Sequence, residues 1–275
     1  EREYFLHILE KYISCVYLDN VNINTSTGSA LQIQSSVQAQ VYIYLEGINK
    51  LNSGWNAALQ KDNAAKLTID NSPNTTGELI AISSYGAGIG TGGAFRNEER
   101  TGKIVIEGGT VNASSLSGAG IGSGYGYAPG DPAITAKIEI HGGMITAYSG
   151  QGACIGSGKD SSSEVLIDGG TICLNNKEAW SRDAAHIGKG AANSTRAQTD
   201  VTIAGGTIHL INAGAYIKIP MLYGWEQVDG KGQQNKPKDA NGNPVYYTTA
   251  DLTGIYENNT LVEKAGIEGS SYGFK

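Results

Sequence analysis

Proline is scarce in this chain of 275 residues, at 6, and charged side chains make up only 17%. Cysteine is limited to Cys15, Cys154 and Cys173. Their irregular spacing gives neither a disulfide framework nor a zinc pattern. No run of about 18 apolar residues occurs, so no segment reads as a spanning helix, and membrane insertion is not expected. Lys and Arg total 20 against 26 Asp and Glu, a formal net charge of -6 without a basic run. A nucleic-acid footprint needs clustered cations, so no nucleic-acid partner is expected. Phosphate loops, zinc motifs and nucleophile elbows are missing as well. Glu1-Arg2-Glu3 does not open a signal peptide. With the abrupt end at Lys275, the chain is expected to be a piece of a longer protein.

Glycine, in contrast, is abundant at 39. It has no collagen-like three-residue period. It sits instead in a longer repeat: GAGIGTG (86–92), GAGIGSG (118–124), GACIGSG (152–158) and AAHIGKG (184–190). Each segment has a partner run ending in a Gly-Gly pair: KIVIEGG (103–109), KIEIHGG (137–143), EVLIDGG (164–170) and DVTIAGG (200–206). Internal periods of about 20–50 residues signal stacked units. KIVI alternates apolar and polar, as a strand with one buried face does. Short strands follow at 110–114, 144–148, 171–175 and 207–211, and the Gly-Ile-Gly segment supplies a third. Weaker versions extend the pattern back over 16–33, 41–61 and 66–91.

The expected fold is all-β: a right-handed parallel β-helix of about seven coils. Leu31, Leu59, Ile89, Ile121, Ile155, Ile187 and Ile217 fall in one column of inward aliphatics. Ile104 with Ile106, and Ile138 with Ile140, give matching columns on the first strand. Stacking buries a continuous core that no single coil could bury alone. Tyr4, Phe5, Ile8, Leu9 and Tyr12 recur at helical spacing, so residues 1–14 are expected as a short capping helix, with a strand as the alternative. The β-helix is expected over 15–220. Residues 221–275 read as a linker and a partial second module or cap, with strands at 245–249 and 260–263.

At this point the residues suggest a family. VYLDNVNINTSTGSALQIQ followed by VYIYLEGINKLNSG resembles the opening of carbohydrate-binding β-helix domains of clostridial surface proteins. The GAGIGSG and IEGGTV blocks look like those of large secreted or wall-anchored Firmicute proteins. The tail NPVYYTTADLTGIYENNTLVEKAGI resembles the segment that follows such repeats. The resemblance implies an extracellular setting, secreted or attached to the cell wall, and a polysaccharide or host glycan as partner. β-Helices serve as lyases, glycosidases, binding modules and adhesins alike, so the fold does not choose among these. No catalytic motif of a pectate lyase or polygalacturonase can be placed here residue by residue.

The register gives addresses to candidate sites. One outward column of the first strand reads Asp19, Tyr44, Asp70, Glu107, His141, Asp168, Ala204. Glu107 and Asp168 are two coil spacings apart, roughly 9–10 Å. That is near the upper end of the roughly 6.5–9.5 Å used by inverting glycosidases. Glu107, His141 and Asp168 are therefore the candidate catalytic set if the protein is an enzyme. No cofactor is expected unless Ca2+ binds, with Asp70, Glu107 and Asp168 as candidate ligands. The alternative is a solvated ladder balanced by Lys103 and Lys137. Outward positions of the Gly-Ile-Gly strand read Gly88, Gly90, Gly120, Gly122, Cys154, Gly156, His186 and Gly188. They are expected as a flat strip, either a groove floor or a surface covered by adjacent loops. Long insertions beside the strip carry Phe95, Arg96, Tyr125, Tyr127 and Asp131, with Trp180 and Arg182 nearby. These, with His186, are the candidate ligand-binding residues, because aromatic faces with polar rims suit sugars. Three functions follow: a non-catalytic glycan-binding or adhesive module, a β-helix glycosidase or lyase, and a structural stalk.

Overall fold

The computed structural model describes residues 5–6, 13–93, 100–126, 134–175, 184–191, 199–203, 206–211, 254–257, 260–264 and 271–274. Every regular element among the described residues is a β-strand. The architecture is a parallel β-helix in which each turn contributes one strand to each of three sheets. The first sheet stacks Ser14–Asp19, the first half of Val41–Ser53, Lys66–Asn71, Arg100–Ile106, Ile134–Ile140, Ser162–Ile167 and Thr199–Ile203. The second stacks Asn22–Thr25, the second half of Val41–Ser53, Gly77–Ser83, Thr110–Ser115, Met144–Ser149, Thr171–Asn175 and Thr207–Ile211. The third stacks Phe5–Leu6, Leu31–Ile33, Leu59–Lys61, Ile89–Gly90, Ile121–Gly122, Ile155–Gly156 and Ile187–Gly188.

The aliphatic column sets this register. Leu31, Leu59, Ile89, Ile121, Ile155 and Ile187 pair in turn along the third sheet. All but Leu31, at 7%, are fully buried. Ile104, Ile106, Ile138 and Ile140 face them at 0% exposure. Each fully buried aliphatic contributes about 1.5–3 kcal/mol, and only stacking removes it from water. Ile217 lies outside the described residues, and the described stack is slightly shorter than the seven coils expected.

The expected capping helix is corrected at Phe5–Leu6, which is a strand pairing in parallel with Leu31–Ile33. The open edge of Leu31–Ile33 presents unpaired backbone groups, which another strand satisfies and a helix does not. Residues 1–4 and 7–12 lie outside the described residues. So do 245–249. Thr260–Lys264 pairs antiparallel with Gly254–Glu257, and Ser271–Phe274 pairs antiparallel with Thr207–Ile211.

One polar side chain inside the stack is held on several sides by backbone groups. Asn49 is fully buried in the column that continues as Leu79, Val111 and Ile145. Its Oδ1 accepts Val21 N–H at 3.0 Å. The two N–H groups of its Nδ2 are shared among the carbonyls of Leu18, Glu46 and Glu78 at 3.2, 2.9 and 3.2 Å. One amide thus ties three successive turns at the corner where a Gly-Gly pair stands in later turns. Asn49→Leu is expected to cost about 3 kcal/mol in urea unfolding, because it strips partners from several buried backbone groups at once.

Candidate functional site

The outer face of the first sheet carries the expected ladder. Tyr44 pairs with Asp70, and the pairings of Ile69, Ile106, Ile140 and Ile167 put Asp70, Glu107, His141 and Asp168 on successive turns. Asp19 is a correction: it pairs with Glu46, while Tyr17 stands level with Tyr44. The long strand Val41–Ser53 carries no Gly-Gly pair to mark the phase, so alignment from strand ends slips there. Ala204 lies outside the described residues.

Charges on this face are interleaved. Glu139 lies 3.2 Å from Lys103 and 3.9 Å from Lys137, and Lys137 reaches Glu164 at 2.7 Å. His141 places Nδ1 2.6 Å from Asp168 and Nε2 4.0 Å from Glu139. The Glu164 hydrogen bond is the main cause holding the Lys137 ammonium above its ordinary pKa. Pairs this exposed contribute little stability, typically about 0–1 kcal/mol. The Asp168 side chain is 40% exposed, on an open sheet rather than in a cleft. Asp70, Glu107 and Asp168, proposed as calcium ligands, are not brought together: among the described residues no group of three or more His, Cys, Asp or Glu is placed to hold a metal.

The Gly-Ile-Gly strip corrects the expected groove floor. Ala87 N–H donates to Thr91 O at 3.1 Å, and the same bond closes 119–123, 153–157 and 185–189 at 2.9, 2.8 and 2.9 Å. Each segment is therefore a tight bend, in which strict in-and-out alternation does not hold. A Cβ built on Gly120 would meet Tyr148 O at 2.8 Å and Ala113 O at 3.0 Å. The position thus faces the second sheet, and glycine is there because that backbone presses against it. Cys154 and His186 occupy the same position in later turns and are 0% exposed. Burial pushes the Cys154 thiol up to about 12, so it stays protonated and unreactive. His186, expected to meet ligand, does not reach the surface. The outer side is closed as well: Thr91, Ser123 and Ser157 are fully buried, each hydroxyl accepting an N–H from Gly124, Gly158 or Gly190 of the next turn.

Aromatic side chains gather at two other places. Trp55 and Tyr85 occupy the bend between the second and third sheets on successive turns. Their ring centroids are 4.5 Å apart and their planes 8° from parallel. Tyr125 folds back on them, its N–H donating to Tyr85 O at 3.0 Å and its ring lying 6.4 Å from Tyr85. Lys159 Nζ stands 5.7 Å over the Tyr125 ring. Trp55 and Tyr85 are 45% and 36% exposed, and Ile82 and Leu116 extend the same edge at 44% and 39%. The second cluster is on the first sheet. Tyr17 stacks on Tyr44 at 5.2 Å, Tyr42 lies 6.2 Å from Tyr44 at 16°, and Lys66 Nζ stands 5.7 Å over Tyr42.

Of the candidate ligand-binding residues, Tyr125 joins an aromatic cluster. Phe95, Arg96, Tyr127, Asp131, Trp180 and Arg182 lie outside the described residues. Sequence reasoning missed Trp55, Tyr85, Tyr17 and Tyr42. The signal was present for the first two, since Trp55 precedes Leu59 by the same spacing as Tyr85 precedes Ile89.

No curated protein and no solved structure matches the chain. A family model described as a beta helix repeat matches residues 104–125 and 138–159, each match running from the first-sheet strand through the Gly-Ile-Gly bend of one turn, so these turns carry a β-helix repeat by sequence as well as by fold.

Proposed function

We propose that this chain is a non-catalytic, glycan-binding and adhesive β-helix module of a bacterial surface protein, acting outside the cell. The observation that carries the reading is the Trp55–Tyr85 stack, exposed and in register with the coils. Exposed apolar and aromatic patches on a rigid scaffold mark interaction sites. Rings that join an apolar body to a polar tip suit the C–H faces and hydroxyls of sugars. The ladder of Glu107, His141 and Asp168 is open to solvent and interleaved with lysines, which suits a solvated face better than a general-acid pocket.

A glycan array run beside a turnover screen on the same polysaccharides tests this. Binding without new reducing ends is expected. The double variant Trp55→Ala/Tyr85→Ala is expected to weaken binding about tenfold, the loss of roughly 1.4 kcal/mol of ring contacts. Its melting temperature should stay close to wild type, because both rings are substantially exposed. Equal binding by the variant would move the site elsewhere.

The 2.6 Å contact between His141 and Asp168, beside Glu107, favours a second reading as a glycoside hydrolase or polysaccharide lyase. Released products, lost in Glu107→Gln or Asp168→Asn, would replace the binding reading with that one. Absence of any glycan binding would leave a structural stalk.

A further inference from the structure

The two aromatic clusters share a feature. In each, a lysine ammonium lies 5.7 Å over a tyrosine ring, Lys66 over Tyr42 and Lys159 over Tyr125. Neither lysine has a carboxylate partner among the described residues. On the same first sheet, Lys103 and Lys137 are both ion-paired, to Glu139 and Glu164. The chain carries a net charge of -6, so cations without a carboxylate partner among the described residues, beside exposed aromatic rings, run against its overall balance.

We infer that the glycan bound at these clusters is acidic, its anionic groups taken by Lys66 and Lys159 while its ring faces stack on the neighbouring aromatics. This inference rests on the glycan-binding reading and names the charge class of its ligand. The two residue types do different work. Tyr17 with Tyr44, and Trp55 with Tyr85, supply near-parallel rings that take any pyranose face. The ammonium groups hover above the adjacent rings, held by attraction to the π-face. That contact keeps each cation at the rim of its cluster without the competition an acidic side chain would impose. An incoming carboxylate or sulfate ester offers a full charge and better geometry than the ring. The Lys159 backbone is itself anchored, its N–H donating to Ser117 O at 3.1 Å and its carbonyl accepting Gly126 N–H at 2.8 Å. Its side chain therefore starts from a fixed point beside Tyr125.

The test compares wild type with Lys66→Gln/Lys159→Gln by affinity electrophoresis and titration. The probes are hyaluronate and polygalacturonate, their carboxyl-reduced forms, dextran and dextran sulfate. Wild type is expected to prefer at least one charged polymer over its neutral counterpart about tenfold, with a preference that shrinks as salt rises. The double variant should lose that preference while binding the neutral polymers as wild type does. Preference for the carboxylated polymers assigns a uronate-type ligand; preference for dextran sulfate alone assigns a sulfate ester. If wild type binds neutral and charged polymers equally, or if the double variant keeps the preference, the inference falls and the glycan-binding reading stands. If wild type binds none of these polymers and nothing on a broad glycan array, both fall.

Discussion

Gly122→Ala is expected to lose about 4 kcal/mol or more of stability, enough to threaten the fold, although it adds only one methyl group. A Cβ built at Gly122 would lie 1.8 Å from the carbonyl oxygen of Gly156 in the next turn, and φ there is +139°. Two costs therefore act together. The backbone conformation is one that L side chains rarely adopt, at about 1–3 kcal/mol. The clash is with main chain, which moves only by breaking the ladder that pairs Ile121–Gly122 with Ile155–Gly156. Overpacking of this kind adds about 1–3 kcal/mol. The same approach recurs at Gly90, so the strain has no slack turn to dissipate into. Gly93→Ala is the matched control. The nearest atoms to its built Cβ are 3.5–3.6 Å away, ordinary contact. It should unfold within about 0.5 kcal/mol of wild type. Urea unfolding of both variants decides the matter: equal midpoints would mean that the carbonyl ladder is not packed as described.

That contrast also explains what could be read from sequence. The core column was legible because each turn spends one branched aliphatic at a constant phase, from Leu31 to Ile187. The four residues Asp70, Glu107, His141 and Asp168 were legible for the same reason, since each directly follows the inward aliphatic of its strand. The orientation of the glycine segments was not. Alternation assumes an extended strand, whereas the Ala87–Thr91 hydrogen bond closes a bend. Alternation thus points Cys154 and His186 outward, whereas both are fully buried. Phe5 misled in another way. Its helical spacing is a local preference, and the unpaired edge of Leu31–Ile33 is a tertiary demand that overrides it. The aromatic clusters were hidden because Trp55 lies in a weak copy of the repeat, and Tyr17 and Tyr42 look like ordinary strand residues until parallel turns bring them beside Tyr44.

Lys61 should make stability rise with pH above pH 8, and Lys61→Met should remove that rise. Lys61 pairs with Ile33 in the third sheet and is fully buried. Its ammonium donates to the Asn63 carbonyl at 3.0 Å and to Asn63 Oδ1. The Asp62 carboxylate beside it is shared with Arg100 at 2.9 Å and Gly92 N–H at 2.9 Å. Burial therefore dominates, and it lowers the Lys61 pKa from 10.5 to about 8, against a smaller opposing pull from Asp62. Between pH 8 and 10.5 the unfolded chain holds a proton that the folded chain has released. Stability rises with pH wherever the unfolded state binds more protons. Below pH 8 both states are protonated and the full cost of burying the charge is present; above 10.5 both are neutral and it is gone. The shift corresponds to about 3 kcal/mol in order of magnitude. Methionine keeps most of the stem and deletes the charge. It also leaves Asn63 short of a donor, which returns about 1 kcal/mol. At pH 7 the variant is thus expected to be about 2 kcal/mol more stable than wild type, and by pH 10.5 the order should reverse. Other contributions to stability also vary with pH, so the readout is the difference between the two proteins at each pH, in which common contributions cancel. A difference that stays constant from pH 7 to 10.5 would mean that Lys61 enters the folded state with its proton affinity unchanged.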